Sequence, residues 1–423
     1  MALRRSNSRP TRAEGSVYAR PPTSETVCKF WATRRCLNKS CRFLHPHPQQ
    51  KILALIEEEG KSSQKGKAPD ADATAIVEKS IANHKGKAAD TVCKFWADGR
   101  CVRRDGCPYL HSWFRGDGFS SLAKLQGHKK GIAGIGLPER SSNLYSAAKD
   151  GTLRLWGCQT GQCSRVINLG AEAGCLISKG PWVFCGASNL VKAWNTDSNA
   201  EFTLTGPASQ VHAMEVGNDM VLAGTEEGVI YVWKGKASSY AKANPFHPLP
   251  ALNGHTGAVV SLRVGTQVKL YSGSVDHTIR VWDLETLECT MTLNGHSDAV
   301  TSLICWSKCL ISCSLDHTIK VWASMGEQGN IGEIYTHTEE HGLLALSGMH
   351  DAEDKPVLFC SSNDNSVRIY DLPSFAERGR LFAKREVRAI QVGPGGLFFT
   401  GDETGLVSVW KWLEPAVKQE PSL

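Results

Sequence analysis

From about residue 119 onward, the chain consists of short runs in which β-branched and other apolar residues alternate with polar ones, and each run ends in an aromatic side chain. Examples are TLRLW, VIYVW, TIRVW, TIKVW and LVSVW. Alternation with a period of two predicts half-buried β-strands. The closing aromatic residues are Trp156, Trp194, Trp233, Trp282, Trp322, Tyr370 and Trp410. Their spacing of roughly 42 residues is typical of propeller blades, so the seven markers predict a seven-bladed β-propeller over residues 119–413.

The ring of such a propeller must close, because an open sheet edge exposes unpaired backbone groups. The segment FSSLAKLQ at residues 119–126 precedes the first predicted blade. We expect it to form the outer strand of the last blade, whose inner strands come from the C-terminal end of the chain. The predicted fold class is therefore mostly β.

Three of the predicted blades share a further pattern. A Gly-His pair precedes the first strand, and an aspartate lies six residues before the tryptophan. The sets are His128, Asp150 and Trp156; His255, Asp276 and Trp282; and His296, Asp316 and Trp322. These segments resemble the WD40 family, which implies that each set forms a buried hydrogen-bond network with a structural role. Blade two (GASNLVKAWN) lacks the aspartate and blade three (GTEEGVIYVW) has Glu227 nearby, which leaves the limits of both blades open.

The pattern changes in front of residue 119. Residues 1–25 place five arginines among Ser, Pro and Thr, with too little apolar surface to offset the entropy of ordering, so they predict a disordered basic arm. Residues 48–90 are rich in Lys, Gly, Ala and Ser and predict a flexible linker. Residues 1–118 carry 22 basic against 12 acidic residues, whereas residues 119–423 carry 26 against 30. The basic front half favours a polyanionic partner.

The chain shows none of the usual signs of export. Arginines and serines stand where a signal peptide would have its apolar core, and no apolar run approaches the length of a membrane span. The fifteen cysteines are therefore expected to be reduced thiols or metal ligands. We expect a soluble intracellular protein with no membrane contact. The arginine-rich arm favours the nucleus, with the cytoplasm as the alternative.

The sequence VCKFWA occurs twice, at residues 27–32 and 92–97, and each copy opens a cluster of three cysteines and a histidine. The clusters are Cys28, Cys36, Cys41 and His45 within residues 26–47, and Cys93, Cys101, Cys107 and His111 within residues 91–113. Three thiolates and an imidazole make a closed tetrahedral zinc site, with no position left for a catalytic water. Two Zn²⁺ ions are expected. Because a unit of about twenty residues cannot bury enough apolar surface to fold alone, the metal must supply the folding energy.

The two spacings resemble the Cys3His (CCCH) zinc-finger family. The first cluster departs from the commoner pattern, because its second gap has four residues rather than five, and His47 is an alternative to His45. The resemblance implies binding of single-stranded RNA, whose bases stack on exposed aromatic rings. The matching rings are Phe43 and Tyr109, whereas Phe30 and Phe95 are expected to pack over the metal. The cations available to neutralise phosphates are Lys29, Arg34, Arg35, Arg42, Lys94, Arg100, Arg103 and Arg104.

Two CCCH fingers followed by a seven-bladed propeller resemble the plant CCCH zinc finger and WD40 proteins of the ZFWD type. The resemblance covers almost the whole chain and implies zinc, nucleic-acid binding and a nuclear role. We expect an adaptor whose fingers bind RNA and whose propeller rim binds protein partners. A short C-terminal tail at residues 414–423 is predicted to follow the propeller. Neither a phosphate-binding loop nor a nucleophile motif occurs, so an enzyme with a small-molecule substrate is not expected.

Two alternatives stay open at this point. The first is binding of DNA, because phosphates attract the same cations in either polymer. A short finger offers little helix to a major groove, however, which favours unstacked RNA bases. The second alternative is a substrate receptor of a ubiquitin ligase. Many such receptors carry a Trp-Asp-x-Arg ending in a blade, whereas here Trp282-Asp283 is followed by Leu284 and Glu285.

Overall fold

The computed structural model describes most of the chain from residue 91 onward. The described ranges are 91–103, 106–116, 118–235, 244–266, 268–306, 308–325, 330–351 and 353–413. The predicted arm, first finger, linker and C-terminal tail lie outside these ranges, and so does Arg104. The described residues form 29 β-strands and one short helix, α1 (Lys94–Ala97). Within this part of the chain, no helix has the length and apolar character to cross a membrane.

Seven antiparallel sheets arise in chain order, each with its first strand innermost. The strands of blades one to three are β3 (Ile132–Gly136), β4 (Asn143–Ala148), β5 (Thr152–Gly157), β6 (Cys163–Asn168), β7 (Ala173–Lys179), β8 (Trp182–Ala187), β9 (Leu190–Asn195), β10 (Glu201–Leu204), β11 (Val211–Gly217), β12 (Met220–Thr225), β13 (Ile230–Lys234) and β14 (His247–Leu252). Blades two and three are therefore complete four-stranded sheets, although they lack the His and Asp pattern of blade one.

Blades four to seven follow in the same way. Their strands are β15 (Val259–Val264), β16 (Lys269–Ser274), β17 (Ile279–Asp283), β18 (Glu288–Leu293), β19 (Val300–Trp306), β20 (Cys309–Ser314), β21 (Thr318–Met325), β22 (Asn330–Thr338), β23 (Leu343–His350), β24 (Pro356–Ser362), β25 (Ser366–Asp371), β26 (Ala376–Phe382), β27 (Val387–Val392), β28 (Leu397–Asp402) and β29 (Val407–Trp412). Each innermost strand contacts the next, and β27 contacts β3. The predicted seven-bladed propeller is confirmed, and every predicted aromatic marker lies on the third strand of its blade.

The ring closes as predicted, through a strand that precedes the first blade. Strand β2 (Phe119–Leu125) pairs antiparallel with β29, from Phe119 opposite Trp412 to Leu125 opposite Val407. Blade seven thus joins both ends of the propeller, and the closure removes an exposed sheet edge. Sequence reasoning did not anticipate a further strand, β1 (Phe114–Gly116), which pairs with β26 and makes blade six five-stranded.

The hydrophobic core lies between neighbouring blades rather than in one central mass. Between blades six and seven, for example, Phe359, Phe398 and Trp412 pack together with Phe119, the first residue of β2. Between blades one and two the inner strands approach so closely that a Cβ on Gly134 would lie 2.5 Å from the Leu176 amide nitrogen. Only glycine fits this position without a shift of the backbone.

The network implied by the WD40 resemblance is present in blades one, four and five. In blade four the His255 Nδ1–H donates to Asp276 over 2.7 Å, and its Nε2 accepts from the Ser272 hydroxyl over 2.7 Å. The Trp282 indole N–H in turn donates to the Ser272 oxygen over 2.8 Å. The corresponding distances in the other two blades are 2.7–3.2 Å. The network therefore contains a serine that sequence reasoning missed, although Ser146, Ser272 and Ser312 all lie ten residues before their tryptophan.

The remaining blades replace the network in different ways. In blade six Glu339 stands four residues before the first strand, where blades one, four and five have histidine, and it contacts the Tyr370 hydroxyl and the Arg368 guanidinium. In blade seven the Trp410 indole N–H donates to Thr400 over 3.0 Å. In blade two the buried Trp194 indole nitrogen has no hydrogen-bond partner. The departures from the repeat therefore mark blades with different internal hydrogen bonding rather than missing blades.

These networks predict that acid destabilises the propeller. Burial lowers the pKa of His255 despite the neighbouring Asp276. Below about pH 6.5 this histidine is therefore protonated more fully in the unfolded chain than in the folded one, which lowers the free energy of unfolding. Burial alone would raise the pKa of Asp276, but hydrogen bonds from Thr278 and His255 lower it to about 2. Its contribution to stability is present above about pH 4 and is lost as the pH falls toward 2. Thermal unfolding midpoints should fall between pH 7 and pH 4, and less steeply in His255→Gln. A midpoint that stays constant over this range would contradict the assignment.

Candidate zinc and nucleic-acid site

The second cysteine cluster is assembled by a short parallel bridge and one helical turn. Cys93 donates its backbone N–H to the Leu110 carbonyl over 2.9 Å, and Leu110 donates to the Thr91 carbonyl over 3.0 Å. The two ends of the finger therefore meet, and His111 lies next to Cys93 although it stands eighteen positions later in the sequence. Helix α1 starts directly after Cys93, whose Sγ accepts the Trp96 backbone N–H over 3.4 Å.

The four predicted metal ligands of this finger converge on one point. One donor atom from each of Cys93, Cys101, Cys107 and His111 lies within 4.8 Å of the others. Donors around a tetrahedral zinc ion are about 3.4–3.8 Å apart, given bonds of about 2.3 Å to sulfur and 2.0 Å to nitrogen. The His111 Nε2 is buried and has no hydrogen-bond partner in the protein. A buried nitrogen left without a partner fits a metal ligand, because a polar atom is otherwise costly to bury unpaired.

The acid–base chemistry of the three thiols also fits a bound cation. Burial acts to raise the pKa of Cys93, but the hydrogen bond from the Trp96 amide and the proximity of His111 lower it to about 7. The Tyr109 amide acts to lower the pKa of Cys107, yet burial and the adjacent Cys93 and Cys101 raise it above its ordinary value. Three sulfur atoms this close cannot all ionise without a positive charge between them. A zinc ion would supply that charge and hold all three as thiolates.

The aromatic residues of the finger divide into exposed and packed ones, with one correction to the prediction. Tyr109 is 47% exposed, as a base-stacking ring requires. Phe95 is 65% exposed, so the prediction that it packs over the metal is wrong. Trp96 takes that place because the turn of α1 directs it inward, where it stacks on the His111 ring with centroids 5.7 Å apart. The finger thus offers two exposed rings rather than one.

The predicted phosphate-binding cations are on the surface where the structure describes them. Lys94, Arg100 and Arg103 are exposed. Arg100 forms an ion pair with Asp98 over 3.0 Å, and such exposed pairs are weak enough for a phosphate to compete. The remaining predicted residues lie outside the described ranges, namely Arg104 and, in the first finger, Cys28, Lys29, Arg34, Arg35, Cys36, Cys41, Arg42, Phe43 and His45.

The second finger continues directly into the propeller. Trp113 contacts Trp96 with ring centroids 5.6 Å apart, and its carbonyl accepts the Phe382 N–H from the outer strand of blade six over 2.8 Å. The Lys124 ammonium of strand β2 lies 4.5 Å from the Trp113 ring centroid. Strand β1 then follows along β26. The finger is therefore attached to blades six and seven by packing and by a strand, not only by the covalent chain.

Comparison with protein families supports both parts of this arrangement. The family described as RNA-binding, Nab2-type zinc finger matches residues 28–46 and 93–111. The first of these matches includes Cys28, Cys36, Cys41 and His45 and ends before His47. The WD domain, G-beta repeat family matches residues 119–157, and the IP5P C-F beta-propeller family matches residues 181–324. Both clusters therefore have the CCCH spacing, and the propeller has WD repeat character.

Several plant proteins resemble the chain over most of its length. Zinc finger CCCH domain-containing protein 17 of Oryza sativa subsp. japonica is 46% identical, and the match covers 92% of each chain. Zinc finger CCCH domain-containing protein 48 of Arabidopsis thaliana is 47% identical over 96% of each chain. Zinc finger CCCH domain-containing protein 62 of Arabidopsis thaliana is 51% identical over 75% of this chain and 76% of its own. The matches to the first two relatives are long enough to include the propeller and at least part of the finger region of this chain.

Proposed function

Since this chain belongs to the family of plant zinc finger CCCH domain-containing proteins, we propose that it is an adaptor that binds single-stranded RNA through two zinc-ordered fingers and protein partners through its propeller. Its zinc fingers and WD repeats make it a nucleic-acid-binding protein with a protein-interaction domain. The choice of RNA, the presence of two zinc ions and the adaptor role are the proposal. The observation that carries it is the second finger, where a closed set of metal ligands supports two exposed aromatic rings among cations.

Single-stranded RNA fits this finger better than duplex DNA does. Helix α1 has four residues, about one turn, which is too short to lie along a major groove and read base edges. Exposed rings such as Tyr109 and Phe95 instead offer flat surfaces for bases that are already unstacked. Lys94 and Arg103 are placed to neutralise the phosphates of the same strand.

The propeller is suited to binding proteins rather than to catalysis. Its His and Asp side chains in blades one, four and five are occupied by internal hydrogen bonds, as in the His255, Asp276 and Ser272 set. Such a scaffold is rigid, and the loops at its rims are free to vary and to contact other chains. Because the second finger is attached to blades six and seven, a nucleic acid bound to the finger would lie on the same body as a protein bound to the propeller.

Replacing Tyr109 with alanine tests the stacking step. We expect Kd for a single-stranded RNA to rise roughly 5- to 150-fold, because stacking on an aromatic ring contributes about 1–3 kcal/mol per base. Phe43→Ala should act in the same way in the first finger. Tyr109→Phe keeps the ring and should bind like the wild type, and zinc content should stay constant in all variants. Fluorescence anisotropy titrations report the affinities, and wild-type affinity in Tyr109→Ala would rule out this ring as the contact.

A further inference from the structure

Blade seven lacks the imidazole that fills the space beside the tryptophan in blades one, four and five. In those blades histidine lies four residues before the first residue of the inner strand, and in blade seven Ala383 has that position before Val387. A methyl group replaces a ring, and a small cavity of about 30 Å³ remains beside Thr400 and Trp410. The finger-proximal Trp113 forms part of the wall of this cavity.

Trp113 places the second finger at the border between blades six and seven. One side of its ring contacts Trp96 of the finger, and the Lys124 ammonium lies 4.5 Å from its centroid. Its backbone is fixed by the hydrogen bond from Phe382. The surface of the finger therefore continues through Trp113 onto the outer strand of blade seven and the loop that contains Lys384.

The positive charges at this border lack carboxylate partners. Within the described part of the chain, no ion pair is formed by Lys124, Lys384 or Arg385, all of which are exposed. Burial and the charge of Lys384 lower the pKa of Lys124, and Asp402 offsets this only in part. Asp402 is itself buried and accepts hydrogen bonds from the backbone and side chain of Thr404.

Several other cations of blades one and seven do have carboxylate partners. Lys149 and Arg388 both reach Glu403, at 2.9 and 2.8 Å, and Lys130 pairs with Glu172. The border beside Trp113 thus differs from these sites, where each cation has a carboxylate partner. Such a concentration of like charge favours an anion, because a bound phosphate relieves the mutual repulsion of the lysines.

We propose that Lys124 and Lys384 bind phosphates of the same RNA strand whose bases contact the second finger, so that the nucleic-acid surface extends onto blade seven. This inference rests on the proposed RNA binding by the finger. The occupant is a nucleic-acid backbone rather than an acidic peptide, because the cationic border is continuous with the finger through the Trp96 and Trp113 rings. A strand that is long enough to leave the finger should then gain affinity from the propeller.

The salt dependence of binding tests this extension in the full-length, zinc-loaded protein. The probe is polyuridylate of about 20 nucleotides, compared with polyuridylate of about 5 nucleotides that spans little more than one finger. For the double variant Lys124→Gln, Lys384→Gln we expect the negative slope of log K against log salt to become shallower by about 1.4 for the long strand, because each phosphate contact on a single strand contributes about −0.7. For the short strand the slope should not change.

Two matched variants separate a local effect from a change in net charge. Lys179→Gln with Lys234→Gln removes the same charge from exposed lysines of blades two and three, and should leave the slope unchanged. Lys124→Arg with Lys384→Arg keeps the charge and should retain the wild-type slope. Thermal unfolding of each variant shows that the propeller is intact.

The outcomes distinguish this inference from the function on which it rests. If the wild-type protein does not bind either strand, both proposals fail. If it binds in a zinc-dependent manner but the Lys124→Gln, Lys384→Gln slope equals that of the wild type or of the Lys179→Gln, Lys234→Gln control, only the extension onto blade seven is wrong. If the variant loses affinity for polyglutamate but not for RNA, the border serves an acidic protein and the inference is likewise overturned.

Discussion

Replacing Cys93 with serine is expected to abolish zinc binding in the second finger and unfold it. Metal binding supplies about 10–16 kcal/mol of folding free energy in comparable zinc peptides. A finger of about twenty residues buries too little apolar surface to replace this contribution. A serine hydroxyl is a poor zinc ligand, and the substitution also removes the acceptor of the Trp96 amide hydrogen bond. Native mass spectrometry should show two zinc ions in the wild-type chain and one in Cys93→Ser.

The matched control for this result is Cys158→Ser. Cys158 is an exposed free cysteine of blade one and lies outside both clusters. Its substitution should leave two zinc ions in place. The double variant Cys28→Ser, Cys93→Ser should hold none and should lose crosslinking to RNA in cells. Unchanged metal content in Cys93→Ser, or equal crosslinking by the double variant and the wild type, would contradict the assignment of these ligands.

The second large effect is expected in the propeller, from replacement of Trp282 with alanine. This side chain is 1% exposed, packs in the core between blades three and four, and donates the hydrogen bond that orients Ser272. Truncation of a buried tryptophan costs about 3–5 kcal/mol in the free energy of unfolding. Differential scanning calorimetry should show a midpoint lower by on the order of 5–15 °C.

Substitution by phenylalanine separates packing from hydrogen bonding. Trp282→Phe keeps a ring but leaves the Ser272 oxygen without its donor, whereas Trp194→Phe in blade two removes an indole nitrogen that has no partner. We therefore expect Trp282→Phe to lower the midpoint more than Trp194→Phe. Equal decreases in the unfolding midpoint would show that the hydrogen-bond network in blade four contributes no stability beyond packing.

Repetition made most of the propeller predictable from the sequence. The period of about 42 residues and the closing aromatic positions located all seven third strands, because each blade must present the same half-buried pattern to its neighbours. Closure by Phe119–Leu125 followed from the cost of an open sheet edge. The clustering of Cys93, Cys101, Cys107 and His111 was predictable because a tetrahedral zinc site requires four donor atoms close together.

Features that depend on contacts between distant segments were not predictable in this way. Strand β1 pairs with β26 across more than 260 residues, and no local pattern in FRG indicates it. Phe95 and Trp96 are adjacent aromatic residues with the same composition signal, and only the turn of α1 decides that Trp96 packs while Phe95 is exposed. The serines of the blade networks differ from these features, since their constant spacing of ten residues before the tryptophan is visible in the sequence.

The second finger is connected to the propeller through a chain of aromatic contacts. His111, one of the four candidate zinc ligands, stacks on Trp96, which contacts Trp113, and Trp113 lies against the propeller at Lys124. We therefore expect metal binding to order the same residues that connect the two domains. An RNA held by the second finger would be presented at a fixed position relative to the propeller rim, which is what an adaptor between RNA and a protein partner requires.

If zinc creates the RNA-binding surface, removing the metal must remove the binding, and one titration series can show this. Binding of the purified full-length protein to single-stranded RNA is measured by fluorescence anisotropy in the zinc-loaded form, after removal of the metal by a chelator, and again after zinc is restored. We expect binding in the first and third conditions and a loss of at least tenfold in affinity in the second. Equal affinity in all three conditions would contradict this expectation.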